Sequence, residues 1–523
     1  MNTGPSEQHW TPSHSPWLIA VAAMTATFME VLDTSVANVS LPHIAGNLSA
    51  TPEEATWVLT SYLVANAIIL PATNYLGGLF GRKRFFLTCI GIFTVASALC
   101  GAANSLGFLI VARVLQGAGG GALQPISQAV LLESFPPAKR GAGMAVFAMG
   151  VVVAPVLGPT LGGWITDNFS WRWIFYINLP IGLLAIWMAN AFIEDPPYLK
   201  RTNIGGIDYI GFGLLALWLA TLQFILDKGQ ELDWLASHAI AWCAAISCCA
   251  CVAFVARELM SRQPLVDLRI LKNRNFAVGV GLITLLGGLL YGTTAVLPLF
   301  MQELLGYSAL DAGLAMSPRG VGAFVATMIV GRIVGKVSNR ILIAGGFVVL
   351  AYSSFMLGGL DLNIGMKNVI WPSVMNGIAI SFIFVPLTTS TMGTLSQQQM
   401  GNATGIFNLM RNLGGSIGIA GLTTMIARGA QKNQALLVGH FSPLQPAYQH
   451  RLAQIQAGLS VRTGAWEATR QAHGILYGIL QQQAALLTYL HNFQLFGIIC
   501  LVCAPLVLLF KKVAKPKEPL AVH

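Results

Sequence analysis

The chain has 523 residues, 55% of them hydrophobic and only 10% charged, with a mean hydropathy of +0.66. A water-soluble protein has too little interior to hide that much apolar surface, so the composition implies a polytopic helical membrane protein. The apolar runs are continuous rather than alternating, which excludes a transmembrane barrel, and the formal charge of +10 has a simpler source than nucleic-acid binding in the placement of Lys and Arg.

The first apolar run begins at Trp17. A spanning helix needs about 20 residues, so this one must continue through Glu30, Asp33 and Thr34 to about Val39. A charge near mid-bilayer costs roughly 2.5–3.5 kcal/mol on insertion scales, and two in one helix imply a use. Glu30 and Asp33 are three apart and share a helix face, which makes them candidates for proton or substrate handling. The competing reading is a water-exposed helix end, or a structural pair with a neighbouring helix. Asn38 in this span and Asn66 in the next are candidate cavity residues, as are Gln116, Gln124, Asn408 and Arg411 in later spans. No cleavable signal peptide is expected, because the segment before Trp17 has no Lys or Arg and the first run leads into a second.

Fourteen spans are expected, at about 17–39, 55–76, 85–103, 107–132, 143–166, 173–193, 208–226, 236–257, 276–299, 311–334, 340–360, 369–393, 403–426 and 488–510. With the N-terminus inside, the inner segments hold Arg82, Lys83, Arg84, Lys139, Arg140, Lys200, Arg201, Arg257, Arg262, Arg269, Lys272, Arg274, Arg332, Lys336, Arg340, Lys511, Lys512, Lys515 and Lys517. The short outer loops hold only Arg172, Lys228 and Lys367. That asymmetry predicts both termini in the cytoplasm.

Asn74-Tyr-Leu-Gly-Gly-Leu-Phe-Gly-Arg-Lys-Arg after span 2 and Gly331-Arg-Ile-Val-Gly-Lys-Val-Ser-Asn-Arg after span 10 repeat one another. Each ends the second helix of a six-helix block if spans 7 and 8 are set aside. The expected organisation is an all-α integral membrane protein with a six-helix bundle at 1–194, two extra helices with flanking linkers at 195–262, and a second six-helix bundle at 263–523. Repeated halves with a site between them near the midplane are a common transporter plan. The polar connection at about 428–487 has helical potential and is expected to project from the outer face. A floppy loop and a docking surface for a partner are both compatible with it.

Span 4 carries Arg113, Gln116, Gly120, Gln124 and Ser127 at spacings of three or four, hence on one face. Arg113 should face the interior with Glu30, Asp33 or a backbone carbonyl as partner, and a purely structural bridge is the alternative. In span 5, Gly150, Ala154, Gly158 and Gly162 recur every fourth residue, Gly163 follows, and Pro155 and Pro159 remove amide donors and bend the helix. Such a helix packs closely on a neighbour and is expected to be a sliding interface. Trp171-Arg-Trp-Ile-Phe-Tyr-Ile-Asn-Leu-Pro-Ile-Gly182 reads as a helix start anchored at the membrane interface. The second half offers Arg319 and Arg411, with Asn402, Asn408 and Asn412 near Arg411, while Glu303 and Asp311 are expected to meet water. Eight cysteines, at 89, 100, 243, 248, 249, 251, 500 and 503, lie in apolar runs and are expected to be buried and inert rather than redox or metal sites. No Gly-Lys-Thr phosphate loop, zinc spacing or nucleophile elbow is present, so neither an ATP-driven pump nor an enzyme is expected, and no cofactor.

Together these stretches resemble the major facilitator superfamily, and within it the fourteen-helix drug:proton antiporters of the EmrB/QacA type. The resemblance rests on Leu32-Asp-Thr-Ser-Val-Ala-Asn-Val-Ser-Leu-Pro42, Trp57-Val-Leu-Thr-Ser-Tyr-Leu-Val-Ala-Asn66, Arg113-Val-Leu-Gln-Gly117, Gly158-Pro-Thr-Leu-Gly-Gly163, residues 171–182, Ile44-Ala-Gly-Asn-Leu48 and the long outer connection. It implies the major facilitator fold and proton-driven export of hydrophobic, amphipathic or weakly acidic compounds across a bacterial inner membrane. Asp33 would be the family's first-helix acid, Arg113 its fourth-helix arginine and Gly158-Pro159 its antiporter motif. It also implies a periplasmic adaptor (EmrA-like) and, through it, an outer-membrane channel (TolC-like). One departure stands out. Gly78 and Gly335 occupy positions where the superfamily usually has Asp, Leu79 replaces an Arg and Asn74 a Gly, which leaves Arg82-Lys83-Arg84 to orientation. A proton-coupled metabolite symporter on the same fold, and a non-transporting sensor or scaffold, are the alternative functions.

Overall fold

Backbone groups in hydrocarbon must bond within their own segment, so long apolar stretches become helices. The computed structural model describes residues 12–136, 139–196, 208–261, 263–439, 441 and 444–511. Lys200, Arg201, Arg262, Lys512, Lys515, Lys517, and Ser442 and Pro443 of the long connection lie outside the described residues. The principal helices are α1 (Pro16–Asn47), α2 (Trp57–Phe80), α3 (Arg82–Gly101), α4 (Leu106–Ser134), α5 (Arg140–Asn168), α6 (Trp173–Phe192), α7 (Tyr209–Lys228) and α8 (His238–Met260). They continue as α9 (Arg274–Leu304), α10 (Asp311–Ile333), α11 (Asn339–Leu357), α12 (Met366–Met392), α13 (Met400–Val438), α14 (Pro446–Thr463) and α15 (Ala465–Leu506).

Among the described residues, twelve helices are long and apolar enough to cross a membrane, and thirteen when the bent α5 counts as one span. The remaining expected span, 403–426, is helical as part of α13, but Asn408, Arg411 and Asn412 hold its hydropathy below that of the others. In α5 the helix breaks between Pro155 and Leu157 with a 40° bend. Pro159 has no N–H to give to the Pro155 carbonyl one turn back, and Ser35 of α1 takes its place, donating its hydroxyl to that oxygen at 3.0 Å.

Helix α1 packs against α4, α5 and α6, and α4 against α2 and α3. In the second half α9 packs on α13, α12 on α10 and α11, and α15 on α11 and α13. The two sets meet along α2–α13, α4–α13, α5–α10 and α5–α12. Helices α7 and α8 pair with each other, and α7 also lies on α2. There Asp227 meets the Thr60 hydroxyl and Lys228 Nζ donates to Thr56 Oγ1 at 3.0 Å. Just beyond α7, Trp234 Nε1 donates to Thr424 of α13 at 3.2 Å.

The connection expected at 428–487 is largely helix. Helices α13 and α15 have 39 and 42 residues, hence each about 60 Å at 1.5 Å per residue, twice the hydrocarbon thickness. Both run on past the bilayer, and α14 folds back on α15 with Tyr448 Oη 2.8 Å from His473 Nδ1. All eight cysteines are free. Cys89, Cys100, Cys500 and Cys503 are buried as expected, but Cys243 and Cys251 are half-buried and Cys248 and Cys249 exposed, because among the described residues α7 is the one long helix that packs on α8. Among the described residues no cluster of metal ligands occurs.

Candidate proton and substrate site

Glu30, Asp33 and Arg113 are all buried, and the structure sorts them into two networks rather than one. Asp33 belongs to the first. Its Oδ2 lies 2.6 Å from Arg113 Nη1, while Oδ1 accepts from Gln116 Nε2 at 2.9 Å and Asn178 Nδ2 at 2.7 Å. Arg113 also donates to Gln116 Oε1 at 2.8 Å and, through Nε, to the Val58 carbonyl at 3.0 Å. Its guanidinium stacks 4.4 Å from the Tyr62 ring centre and 5.5 Å from that of Phe175. Of the three partners expected for Arg113, the structure supplies Asp33 and a carbonyl.

Glu30 stands apart from that pair. Three residues separate the two acids by 300° of helix turn, that is 60°, enough to give them different neighbours. Glu30 accepts from Tyr62 Oη at 3.1 Å, Asn66 Nδ2 at 3.0 Å and Gln124 Nε2 at 2.5 Å. The other end of the Gln124 amide, Oε1, accepts from Nη2 of Arg411 on α13, so Glu30 is linked across the seam to the second half. One turn away Asn408 Nδ2 donates to Gln128 Oε1 at 2.5 Å, a second polar link across the same seam. Gly117 and Gly121 permit this arrangement: a Cβ on either would overlap a main-chain oxygen of α2, at Tyr62 and Asn66 respectively.

The expected cavity residues Asn66, Gln116, Gln124, Asn408 and Arg411 thus fall into these two networks and the cross-seam link. Asn38 does not. It is exposed, because five residues carry it about 140° round α1 from Asp33. The glycine groove of α5 is also placed differently from a sliding surface. Gly150, Gly158 and Gly162 meet Met24, Ser35 and Val36 of α1, and Gly163 lies beside Val39, all within the first half. The contact of α5 with the second half uses other positions, with Thr160 facing Gly313, Ala145 facing Gly331 and Gly141 facing Val334.

Two further expectations are corrected. Trp171 is buried under the Arg172 guanidinium, 4.5 Å from its ring centre, and only Trp173 looks outward. Arg82 does more than orient the chain. Its Nη1 forms a buried ion pair with Glu133 of α4 at 2.5 Å, and Lys83 Nζ caps the Asn190 carbonyl at 2.6 Å. Where Gly78 leaves no acid, the Asn74 side chain lies against Gly401 in the first turn of α13. Glu303 is exposed as expected and accepts from Tyr489 Oη at 3.0 Å, whereas Asp311 is half-buried and bonds Ser308 at 2.7 Å.

The comparisons with known proteins agree with this architecture. The Major Facilitator Superfamily profile matches residues 23–419. The chain belongs to the Major Facilitator Superfamily. It is therefore a membrane transporter and not an enzyme. The superfamily members it resembles include the fatty acid resistance protein FarB of Neisseria gonorrhoeae, 37% identical over 93% of this chain and 94% of that one. The multidrug export protein EmrB of Haemophilus influenzae is 39% identical over 88% and 91%, and that of Escherichia coli K12 is 38% identical over 84% and 86%. Among solved structures, the human organic anion transporter MFSD10 (TETRAN) superposes with a TM-score of 0.58 at 14% identity, covering 93% of this chain and 100% of that one; the likeness is one of fold.

Proposed function

We propose that the chain is a drug:proton antiporter, exporting hydrophobic or amphipathic toxic compounds across a bacterial inner membrane by alternating access, with both termini in the cytoplasm. The observation that carries this reading is the Glu30–Gln124–Arg411 chain, which ties an intramembrane acid to the seam between the halves. Protonation of Glu30 removes the charge that holds Gln124, and so weakens the link across the α4–α13 seam. Protonation of Asp33 removes the charge facing Arg113 and releases it from α1. Each proton driven inward contributes about 2.3 kcal/mol per 100 mV. We read the bundle as a first half at 1–194, an insert at 195–262 and a second half at 263–523; the seams α2–α13 and α5–α10, and the packing of α7 on α2, support that division. The names of the relatives, multidrug export and fatty acid resistance, support efflux rather than uptake.

The helices projecting beyond the bilayer, α14 with the ends of α13 and α15, are the surface we assign to a periplasmic adaptor, and through it to an outer-membrane channel. The test uses everted inner-membrane vesicles with an energised pH gradient and a panel of hydrophobic acids and cationic dyes. Compound-specific dissipation of the gradient that requires this protein and disappears in Asp33→Asn or Glu30→Gln supports antiport. Uptake of a metabolite in the same direction as the proton would overturn it.

A further inference from the structure

Alternating access requires the α2–α13 seam to part, and a third element lies across both of those helices. Helix α7 packs on α2 and on α13, and α8 packs on α7. Polar bonds attach this pair at each end. At the end that the proposed topology places in the cytoplasm, Tyr75 Oη of α2 accepts from the Asp208 main-chain N–H at 3.1 Å. Nε and Nη2 of Arg257 on α8 grip the Asp208 carboxylate at 3.1 and 2.7 Å. The neighbouring Glu258 Oε2 accepts from the Val266 N–H at 2.9 Å, in the connection to α9. Asp267 then pairs with the Asn402 side chain of α13 in both directions, its N–H donating to Oδ1 at 3.1 Å and its carbonyl accepting from Nδ2 at 2.9 Å.

At the outer end the attachment to α2 is also double, with Thr60 donating to Asp227 and Lys228 Nζ donating to Thr56 Oγ1. The attachment to α13 there runs through Trp234, whose Nε1–H is divided between Gln230 Oε1 and Thr424 Oγ1, both at 3.2 Å. The Thr424 hydroxyl donates to the Ala420 carbonyl at 2.8 Å, which leaves its oxygen to accept from the indole. The backbone presents Trp234 for this contact. Asp233 and Trp234 have φ of 56° and 51°, a left-handed conformation that residues with side chains rarely adopt and that the surroundings must hold. The Trp234 N–H donates to the Gly229 carbonyl at 2.6 Å, and the indole lies on Gly229, where a Cβ would come within 2.8 Å of the ring.

These attachments differ in strength. The fork of Arg257 on Asp208 is charge-assisted, and the Asn402 amide uses both main-chain groups of Asp267. Trp234 gives one neutral N–H, shared between two oxygens from a half-buried place in an exposed turn, where exchange for water costs little. The opposite seam is closed at the same level, with Thr160 of α5 against Gly313 of α10. We propose that α7 and α8 form a strap across the α2–α13 seam, fixed to α2 and at its cytoplasmic end, and that Trp234 is its outer latch. Trp234 engages Thr424 while the outer side is closed and releases it when that side opens. This rests on the alternating-access reading above and adds to it a positioning residue that touches neither buried acid network.

The test reads opening on the far side of the molecule from the latch. Thr160→Cys is alkylated from outside by a membrane-impermeant methanethiosulfonate in right-side-out vesicles, and the peptide carrying position 160 is followed by mass spectrometry. Trp234→Phe keeps the ring and removes the donor, whereas Thr424→Val keeps the shape and removes the acceptor. Each should raise the alkylation rate about two- to tenfold, the worth of one hydrogen bond, and the double variant should exceed neither. Ala145→Cys, which faces Gly331 at the inner end of the α5–α10 seam, should not react faster in inside-out vesicles, as it would if the variants merely loosened the protein. If Trp234→Phe does not reach a folded yield, Thr424→Val on the other helix carries the test. An unchanged rate at position 160, equal acceleration at position 145, or a double variant equal to the product of the singles would overturn the latch. If the rates behave as expected yet no compound moves in energised vesicles, the strap stands and the exporter reading falls.

Discussion

Replacing Asp33 with Asn separates the structural from the coupling role of the first network. The carboxylate uses one oxygen for Arg113 and the other for Gln116 and Asn178. An amide has one acceptor oxygen and one donor nitrogen, so it satisfies one side and points a donor at a donor on the other. Both partners of the Arg113–Asp33 pair are at most 1% exposed, and removing one partner of a buried pair costs about 3–5 kcal/mol. Asp33→Asn should therefore lose about that much in an unfolding titration of the detergent-solubilised protein. Arg113→Gln alone should lose a similar amount, because it leaves the carboxylate buried without its counter-charge. The double variant should regain part of the loss, with a coupling energy of about 1–3 kcal/mol. Vesicle assays should then show that the double variant, although stable, no longer couples flux to the pH gradient. Simple addition of the two single losses would refute the idea that the pair is a unit. Normal coupled transport in Asp33→Asn would refute its role in proton handling.

Other outcomes follow from particular contacts. Gln124→Leu removes the bridge between Glu30 and Arg411, and with a charge-assisted hydrogen bond valued at about 1.5–3 kcal/mol initial efflux rates in vesicles should fall about 10- to 100-fold. Gly158→Val drives a side chain into Ser35 and its backbone, whereas Gly163→Ala meets only Val39 Cγ1 at 3.9 Å; the first should lose about 1–3 kcal/mol or more and folded yield by size-exclusion chromatography, the second neither. At the start of α7, outside the membrane span, the hydrogen bond from Arg257 holds the Asp208 carboxyl below its ordinary value of 3.8. The stabilisation from Asp208 is present above pH 3.8 and lost as pH falls through the lower native value. The melting temperature of Asp208→Asn should accordingly lie below wild type at pH 7 and converge with it in acid.

Charges in an apolar run are costly enough to announce themselves, which is why Glu30, Asp33, Arg113, Arg319 and Arg411 were legible in the sequence. Neutral polar residues are not. Tyr62, Gln128, Asn178 and Ser97, whose hydroxyl oxygen accepts from Asn178 Nδ2 at 3.0 Å, complete the buried networks, but hydroxyls and amides occur in membrane helices for many reasons, and Asn178 lies 145 residues from the acid it serves. Position within the 171–182 stretch was a usable signal for Asn178, obscured by the aromatic residues around it. Glu133 was hidden differently, at the end of an apolar span where an acid ordinarily meets water. Periodicity showed that span 5 carries a groove of small residues but not that α1 fills it, since spacing defines a face and not its partner. The long connection misled in length only. Its Gln- and Ala-rich composition favours helix, and the structure continues two membrane helices through it.

Coupling demands that proton loading change the relative energy of two arrangements of the halves. Among the described residues the direct partners of Asp33 lie in the first half, so the charge on Asp33 acts on the seam through the positions of α1 and α4. Glu30 acts on it through one amide. That difference can be read in counterflow, where labelled substrate exchanges for unlabelled substrate without net proton movement. Glu30→Gln imitates the protonated acid: its oxygen still accepts from Gln124, while its amide nitrogen faces the Tyr62 hydroxyl and the Asn66 side chain. Exchange should persist in Glu30→Gln while gradient-driven accumulation is lost, since the halves still move but no proton is carried. Loss of exchange with normal folding would show that the Glu30 charge itself is needed for the halves to move. Unimpaired accumulation would assign proton handling to Asp33 alone.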